Sequence, residues 1–255
     1  MKDFTLEIYE HLCKQIIASN FDTLRFDEYF TNPNKHSENK LALIRHDVDL
    51  NPYNSLIMAR LENKLGIKST YYFRTRKNVL KKKYINEISS LGHEIGFHYE
   101  TLSDSNGNVK KAIDLFSKEL EKLRKITPIK TICMHGSPFS KWRNSDIWKE
   151  YNFSDFNILG EAFLSVDYEK VVYFTDTGRS WKNDLFNIRD RVHSQNIVPV
   201  NSTQELISKL KVIDSDISIN VHPQRWHNNL LLWYKEYFSQ NIKNVGKKFL
   251  KKIYA

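Results

Sequence analysis

Short apolar runs that stop at a histidine or an aspartate recur along this chain, and they constrain its fold more than any other feature. Leu41-Ala-Leu-Ile44 stops at Arg45-His-Asp-Val-Asp49, and Glu94-Ile-Gly-Phe97 stops at His98. Thr131-Ile-Cys-Met134 stops at His135, and Ile217-Ser-Ile-Asn-Val221 at His222. Each reads as a buried strand, as do residues 69–73 and 171–175, from their β-branched and aromatic content. Amphipathic stretches separate the strands at about 5–18, 52–65, 82–91, 108–125, 203–211 and 229–253. Pro52 suits a first helical turn, Gly66 and Gly92 suit helix ends, and Ser202 suits an N-cap. Residues 21–40 read as irregular. Residues 136–200 are less regular, with a further strand-like run at 158–164. Strand and helix in alternation predict the α/β class, with a parallel sheet or barrel in one domain. Residues 1–40 are expected as an N-terminal helical extension and 229–253 as a C-terminal helix of that domain.

In a (β/α) barrel the C-terminal ends of the strands meet at one mouth, so Asp47, Asp49, His98, His135 and His222 are expected to converge there. Any one of these histidines, taken alone, reads as well as a core residue bonded to backbone. The recurrence at one topological position favours a site. Nitrogen and oxygen ligands at a shared mouth suit a divalent transition metal, commonly zinc, with positions left open. Asp47 and Asp49 stand two apart on an extended chain and so point to the same side. One of the pair can bind metal while the other takes a proton. Asp176-Thr-Gly-Arg-Ser-Trp181 gathers an acid, an arginine and an indole, a combination suited to sugar recognition, although for the hexapeptide alone a plain turn with a surface ion pair is the stronger reading. His222-Pro-Gln-Arg-Trp226 has the same character and adds Arg225.

Composition bounds the partners. With 255 residues, 40% hydrophobic, 13% aromatic and 27% charged, the chain is long enough and apolar enough for a full core. Disorder, coiled coil and a disulfide scaffold are excluded. Cys13 and Cys133 match no metal-ligand spacing, and the N-terminus lacks the unbroken apolar run of a signal peptide, so a cytoplasmic location is expected. Thirty-nine Lys and Arg against 30 Asp and Glu leave +9. That charge favours anionic partners such as nucleotide sugars or an acidic membrane surface. Lys81, Lys82 and Lys83 form one basic cluster, and Lys243, Lys247, Lys248, Lys251 and Lys252 another; the plainer reading of both is a solvated helix face. No nucleic-acid-binding motif accompanies them.

The residues from about 41 to 226 resemble the polysaccharide deacetylase family, the NodB-like carbohydrate esterases. Arg45-His-Asp-Val-Asp49 is similar to a spaced form of that family's first motif. The resemblance implies Asp47 as general base and Asp49 as metal ligand. Gly66-Ile-Lys-Ser-Thr-Tyr-Tyr-Phe73 follows the family pattern, and Gly92-His-Glu-Ile-Gly-Phe-His98 resembles its second motif, which implies His98 as a ligand. The histidine expected four residues later is replaced by Leu102. His135, in Met134-His-Gly-Ser-Pro138, is the preferred substitute, with Glu100 as the other candidate. Asp176 and Trp181, with Arg179 added, resemble the motif that orients the base, and Ile219-Asn-Val-His222 resembles the strand end that supplies the general acid.

The resemblance implies a distorted (β/α) barrel of the polysaccharide deacetylase type. It also implies a metal-dependent hydrolase that removes an acetyl or formyl group from an amino sugar. The altered motifs resemble a divergent branch encoded with O-antigen or capsule biosynthesis enzymes. Asp47 and His222 are then base and acid, and Asp49, His98 and His135 the ligands of a divalent metal, zinc by preference. Arg179 is expected to orient Asp47, Trp181 to wall the pocket, and Asp176 and Arg225 to contact substrate. A nucleotide-linked or lipid-linked sugar is the expected substrate. A metal-free amide or ureide hydrolase and a non-catalytic glycan binder are the alternatives. The apolar face of the last helix (Leu231, Leu232, Tyr234, Tyr237, Phe238, Ile242, Val245, Phe249, Leu250 and Ile253) is expected to pack on the barrel. A peripheral seat on an anionic membrane is the other reading of that face.

Overall fold

Strands form where β-branched and aromatic residues run together, and helices where apolar residues recur every three or four positions. The computed structural model describes residues 2–32, 39–182 and 192–254. Its elements are α1 (Leu6–Ala18), β1 (Phe21–Leu24), α2 (Phe26–Thr31), β2 (Lys40–Val48), α3 (Pro52–Lys64), β3 (Thr70–Phe73), α4 (Lys82–Ser90) and β4 (Glu94–Tyr99). There follow α5 (Thr101–Asp104), α6 (Val109–Arg124), β5 (Thr131–Met134), two short 3-10 turns, β6 (Gly160–Glu161), β7 (Val172–Thr175), α7 (Thr203–Leu210), β8 (Ile217–Val221) and α8 (Leu230–Tyr254). The eight strands pair in parallel in the order β6-β5-β4-β3-β2-β8-β7, and β1 joins the first half of β2.

The sheet curls into a distorted barrel. Strands lie about 4.8 Å apart, so β2 and β5, three steps apart, would be separated by about 14 Å in a flat sheet. Instead Cys133 Sγ on β5 lies 3.9 Å from Asp47 Oδ1 on β2. The gap between the edge strands is spanned by side chains: Tyr173 on β7 meets Phe163 and Tyr168, which follow β6, at ring-centre distances of 6.3 and 5.4 Å.

Alternate residues fill the interior in layers, as the two-residue period of a strand requires. Lowest is a polar knot in which Glu94 accepts from Thr70 Oγ1 at 2.7 Å and Thr131 Oγ1 at 2.6 Å. Above it Gly96 leaves room for the Tyr72 ring, which a Cβ at that position would overlap at 2.3 Å. In register, Arg45 stands opposite Thr70 and Asp47 opposite Tyr72, while Asp49, His98 and His222 lie toward the C-terminal ends of their strands. The outer face of the sheet packs on the helices in two apolar clusters, one built on α4 and α6, the other on α1 and α7.

Four stretches differ from the sequence reading. Residues 21–40 contain β1 and α2, because Phe21 and Phe26 are buried against the barrel. The run at 158–164 shortens to the two residues of β6. Strand β2 continues through Arg45, His46 and Asp47, since β3 and β8 pair with it on both sides and satisfy its backbone.

Helix α8 is the largest departure. Its apolar residues do not pack on the barrel: Leu231 is 81%, Phe238 60% and Ile242 74% exposed, while Gln240, Asn244 and Lys247 are buried. The helix crosses the polar mouth of the barrel, so its polar side turns inward. Asn244 Nδ2 donates to the Gly178 carbonyl at 2.9 Å, and Gln240 Nε2 donates to Asn244 Oδ1 at 2.8 Å. The side chains of Phe249, Leu250 and Ile253, expected on the apolar face, and of Lys248, Lys251 and Lys252 lie outside the described residues. No described helix is long and apolar enough to cross a membrane.

One buried carboxylate ties the outer face of the central strand to the helices. Glu62 of α3 accepts hydrogen bonds from Tyr71 Oη and Ser69 Oγ at 2.7 Å each, from Tyr9 Oη, and from His46 Nε2 at 2.7 Å. Burial pushes its pKa up, but the charge and hydrogen bond of His46 outweigh that and hold it at about 2. Its contribution to stability is therefore present above about pH 4.5, its ordinary value, and is lost as pH falls toward about 2. Glu62→Gln is expected to lower stability at neutral pH by about 1–3 kcal/mol. In urea titrations across pH the variant should also lose stability less steeply than the parent between those two pH values.

Candidate active site

The mouth of the barrel collects side chains from four strand ends. Asp47 is the penultimate residue of β2 and Asp49 follows its last residue. His98 lies on β4, and His135 and His222 follow the ends of β5 and β8. All five line one cleft with Arg74, Gln224 and Arg225, and the inward side of α8 adds Glu236, Gln240, Lys243 and Lys247 as a wall.

Asp49 is the centre of this group. Its Oδ1 lies 3.4 Å from His98 Nε2 and 3.5 Å from His135 Nε2, and its Oδ2 lies 3.9 Å from His222 Nε2. Burial opposes its ionisation, but His135, His98 and His222 together hold the carboxyl well below its ordinary range. The ring orientations follow from the partners of the other nitrogens. His98 Nδ1 donates to the Cys133 carbonyl at 3.0 Å and His135 Nδ1 donates to Glu100 Oε2 at 2.9 Å. In the neutral form of each ring this leaves Nε2 as a free lone pair facing Asp49.

These residues fit a metal ion. Asp49 Oδ1 is buried and has no hydrogen-bond donor among the described residues. It faces two imidazole lone pairs, with the ligand atoms of Asp49, His98 and His135 all within 4.8 Å of one another. Two nitrogens and one carboxylate oxygen suit zinc or a related ion with open positions. A deeper trio of Asp47, His98 and Cys133 is equally tight. There, however, the buried Arg45 guanidinium already lies 3.6 Å from Asp47 Oδ2 and opposes a second cation.

Glu100 supports His135 and does not point at Asp49 itself. Its Oε1 accepts from Arg74 Nε at 2.9 Å and Arg76 Nε at 2.7 Å. Burial raises its pKa, but His135, Arg74 and Arg76 hold it far below the carboxylate range. Leu102, at the position where the resemblance calls for a histidine, is buried in the apolar core.

Asp47 and His222 line the same cleft as Asp49, each held by its own partner. Burial raises the Asp47 carboxyl, but Arg45 first, then His98 and His222, bring it below its ordinary value. Arg45 is itself fully buried, over the Phe163 ring at 4.1 Å, with its Nε and Nη1 unpartnered among the described residues. His222 Nδ1 donates to Asp176 Oδ1 at 2.6 Å. Asp176 also accepts from the His222 amide at 3.0 Å, Arg225 Nη1 at 2.6 Å and Trp226 Nε1 at 2.9 Å. His222 Nε2 is left facing the cleft.

Three expected substrate contacts lie elsewhere. Asp176 is fully buried behind His222 and orients it. Arg179 does not flank Asp47, a place taken by Arg45; it lies over the Trp233 ring at 4.4 Å and donates to the Arg225 carbonyl at 3.0 Å. Trp181 forms no wall of the cleft. It is buried in the core beside Phe4 and donates to Thr203 Oγ1 at 2.9 Å. The cause is a tight turn, with Gly178 and Arg179 both at positive φ, that carries residues 179–181 away from the mouth. Trp226, not Trp181, is the indole that bonds Asp176, while Arg225 does line the cleft.

Sequence reasoning missed Arg45, the support from Glu100, and the α8 wall. Arg45 had a signal: it stands two residues before Asp47 and so shares its face of the strand. The α8 residues had none, because nothing local shows that a helix lies across a polar opening.

No protein-family model matches the chain, and no curated protein matches it. Among solved structures it is similar to the Streptococcus pyogenes deacetylase PplD in complex with acetate, at 13% identity over 80% of this chain and 86% of that one, TM-score 0.46. It is similar to a Streptococcus mutans CE4 esterase at 12% identity over 88% and 87%, TM-score 0.47. It is also similar to a CE4 family pseudoenzyme from Bacillus anthracis at 14% identity over 75% and 70%, TM-score 0.42. At such low identity the chemistry has to be read from the side chains themselves.

If the Asp49 trio holds metal, removing the support behind His135 weakens binding without abolishing it. Glu100→Gln should lower zinc affinity by about 10–100-fold, and Asp49→Ala should leave no stoichiometric zinc. Competition with a chromophoric chelator measures both.

Proposed function

We propose that this chain is a metal-dependent hydrolase of the polysaccharide deacetylase type, which removes an acetyl or formyl group from the nitrogen of an amino sugar. The observation that carries the reading is that Asp47 and His222 line the same cleft as the Asp49–His98–His135 trio, with His222 Nε2 3.9 Å from Asp49 Oδ2. A binding module has no need of a buried carboxylate and a carboxylate-held imidazole in one cleft.

Asp49, His98 and His135 would hold a divalent ion, zinc by its donor set, which supplies polarisation of the acyl carbonyl and a more acidic water. Asp47 accepts the proton of the attacking water, whose oxygen adds to the acyl carbon. Arg45 keeps Asp47 ionised and aimed into the cleft. As the carbon–nitrogen bond breaks, His222 Nε2 donates a proton to the departing nitrogen, giving a free amine and acetate or formate. Asp176 holds Nδ1–H and stabilises the imidazolium form that delivers the Nε2 proton, and Arg225 and Trp226 hold Asp176. Gln224, whose Oε1 is buried without a partner among the described residues, is placed to accept from a sugar hydroxyl.

Lys243 and Lys247 bring positive charge from α8 to the cleft, which favours a substrate carrying phosphate. A nucleotide-linked or lipid-linked amino sugar, as in the cytoplasmic assembly of O-antigen or capsule, fits that charge. Trp181 and Arg179 have no place in this reading.

Acid release from an N-acetylated amino sugar, followed with purified zinc-loaded protein, tests the proposal. Asp47→Asn and His222→Ala should each lower kcat by about 10²–10⁴-fold with zinc content unchanged. Activity that survives complete removal of metal would replace this reading with a metal-free amide hydrolase.

A further inference from the structure

Helix α8 is amphipathic in the reverse of the usual sense. Glu236, Gln240, Lys243 and Lys247 face the cleft, while Leu231, Tyr234, Phe238, Ile242 and Val245 point outward at spacings of three and four residues. Those five share one side of a helix with 3.6 residues per turn. Leu230 extends the stripe at its start, and the exposed Phe139, next to Gly246, extends it sideways. A single chain rarely leaves so continuous an apolar strip uncovered.

The charge along the same helix identifies what covers it. Lys235, Lys243, Lys247, Lys248, Lys251 and Lys252 stand against a single carboxylate, Glu236, and Glu236 is turned into the cleft. A second copy of this chain laid on the strip would bring like-charged helices together, which is unfavourable. An anionic bilayer meets both demands, since the apolar strip enters the acyl region and the basic charge of the helix, with Lys235 exposed beside the strip, favours acidic headgroups.

We infer that the outward face of α8 seats this protein on an anionic membrane surface, and that the cleft behind the helix receives an amino sugar joined through phosphate to a membrane lipid. The second half rests on the hydrolase reading above. One helix, about 10–12 Å across with its side chains, separates the bilayer from the cleft. Its inward lysines line the path that the linking phosphate would follow, so the helix acts as membrane anchor and cleft wall at once. The geometry thus favours the lipid-linked over the nucleotide-linked carrier.

The test is co-sedimentation of the full chain with phosphatidylcholine vesicles, with and without phosphatidylglycerol, at low and high salt. The parent should pellet with the anionic vesicles at low salt and be released by salt. The exposed substitutions Leu231→Gln, Phe238→Gln and Ile242→Gln, combined, should weaken binding at least about tenfold with the circular dichroism spectrum unchanged. Lys235→Gln, Lys248→Gln and Lys252→Gln, combined, should remove the preference for phosphatidylglycerol. Failure of the parent to pellet at low salt overturns the inference. So does a concentration-dependent dimer in analytical ultracentrifugation that the apolar variant abolishes, because a second copy would then cover the strip. Vesicle binding is read without turnover, so its failure is distinct from failure to hydrolyse a water-soluble N-acetylated amino sugar. Selective loss of activity on vesicle-embedded lipid-linked sugar in the apolar variant, with activity on the soluble sugar retained, supports the substrate assignment. Equal loss on both overturns it.

Discussion

Strand β2 carries Arg45, His46 and Asp47 through the middle of the sheet with all three side chains buried, and much of the architecture follows from the need to partner them. Burying a charge is tolerable only beside an opposite charge or several hydrogen bonds. The two-residue period sends Arg45 and Asp47 inward and His46 outward. Inward, Arg45 neutralises Asp47 and fills the barrel between Phe163 and Tyr173. Outward, His46 calls for Glu62, and Glu62 in turn draws Tyr9, Ser69 and Tyr71 together. One strand therefore fixes both the height of Asp47 in the barrel and the packing of α1 and α3 on its outside.

The three histidines at the mouth differ less in position than in what stands behind them. His98 leans on a neutral carbonyl. His135 leans on Glu100, whose charge is already shared with Arg74 and Arg76. His222 leans on Asp176, buried and held by four donors. A neutral imidazole suits a metal ligand, and an imidazole backed by a fixed carboxylate suits a proton donor. The division of labour proposed for Asp49, His98, His135 and His222 is thus drawn by their supports. Arg225 and Trp226, three and four residues after His222, complete the support of the acid from within one short segment.

Helix α8 turns a mouth that would open straight to solvent into a walled cleft, and the cost is an apolar strip left outside. Stability alone would favour the opposite orientation, with Leu231, Phe238 and Ile242 against the barrel. The polar rim of the barrel prevents it: Asn244 donates to the Gly178 carbonyl and Gln240 to Asn244, bonds that an apolar side could not make.

What the sequence determined by itself was periodic or local. Alternation of strand-like and helix-like runs specified a parallel α/β barrel, and the residues that end those runs specified Asp47, Asp49, His98, His135 and His222 as a group that meets at one mouth. Leu102, where the resemblance calls for a histidine, was visible too, as was His135 as a candidate in its stead. Only the tertiary structure decided which neighbours those residues have. Arg45 in place of Arg179 beside Asp47, and Trp226 in place of Trp181 beside Asp176, depend on a turn at Gly178–Arg179 that redirects the chain, and on the curl that closes β2 on β5. The orientation of α8 was illegible for a related reason. A helical pattern states which side is apolar, but what lies beneath is set by the end of the barrel it crosses, and that end is assembled from residues distant in the chain.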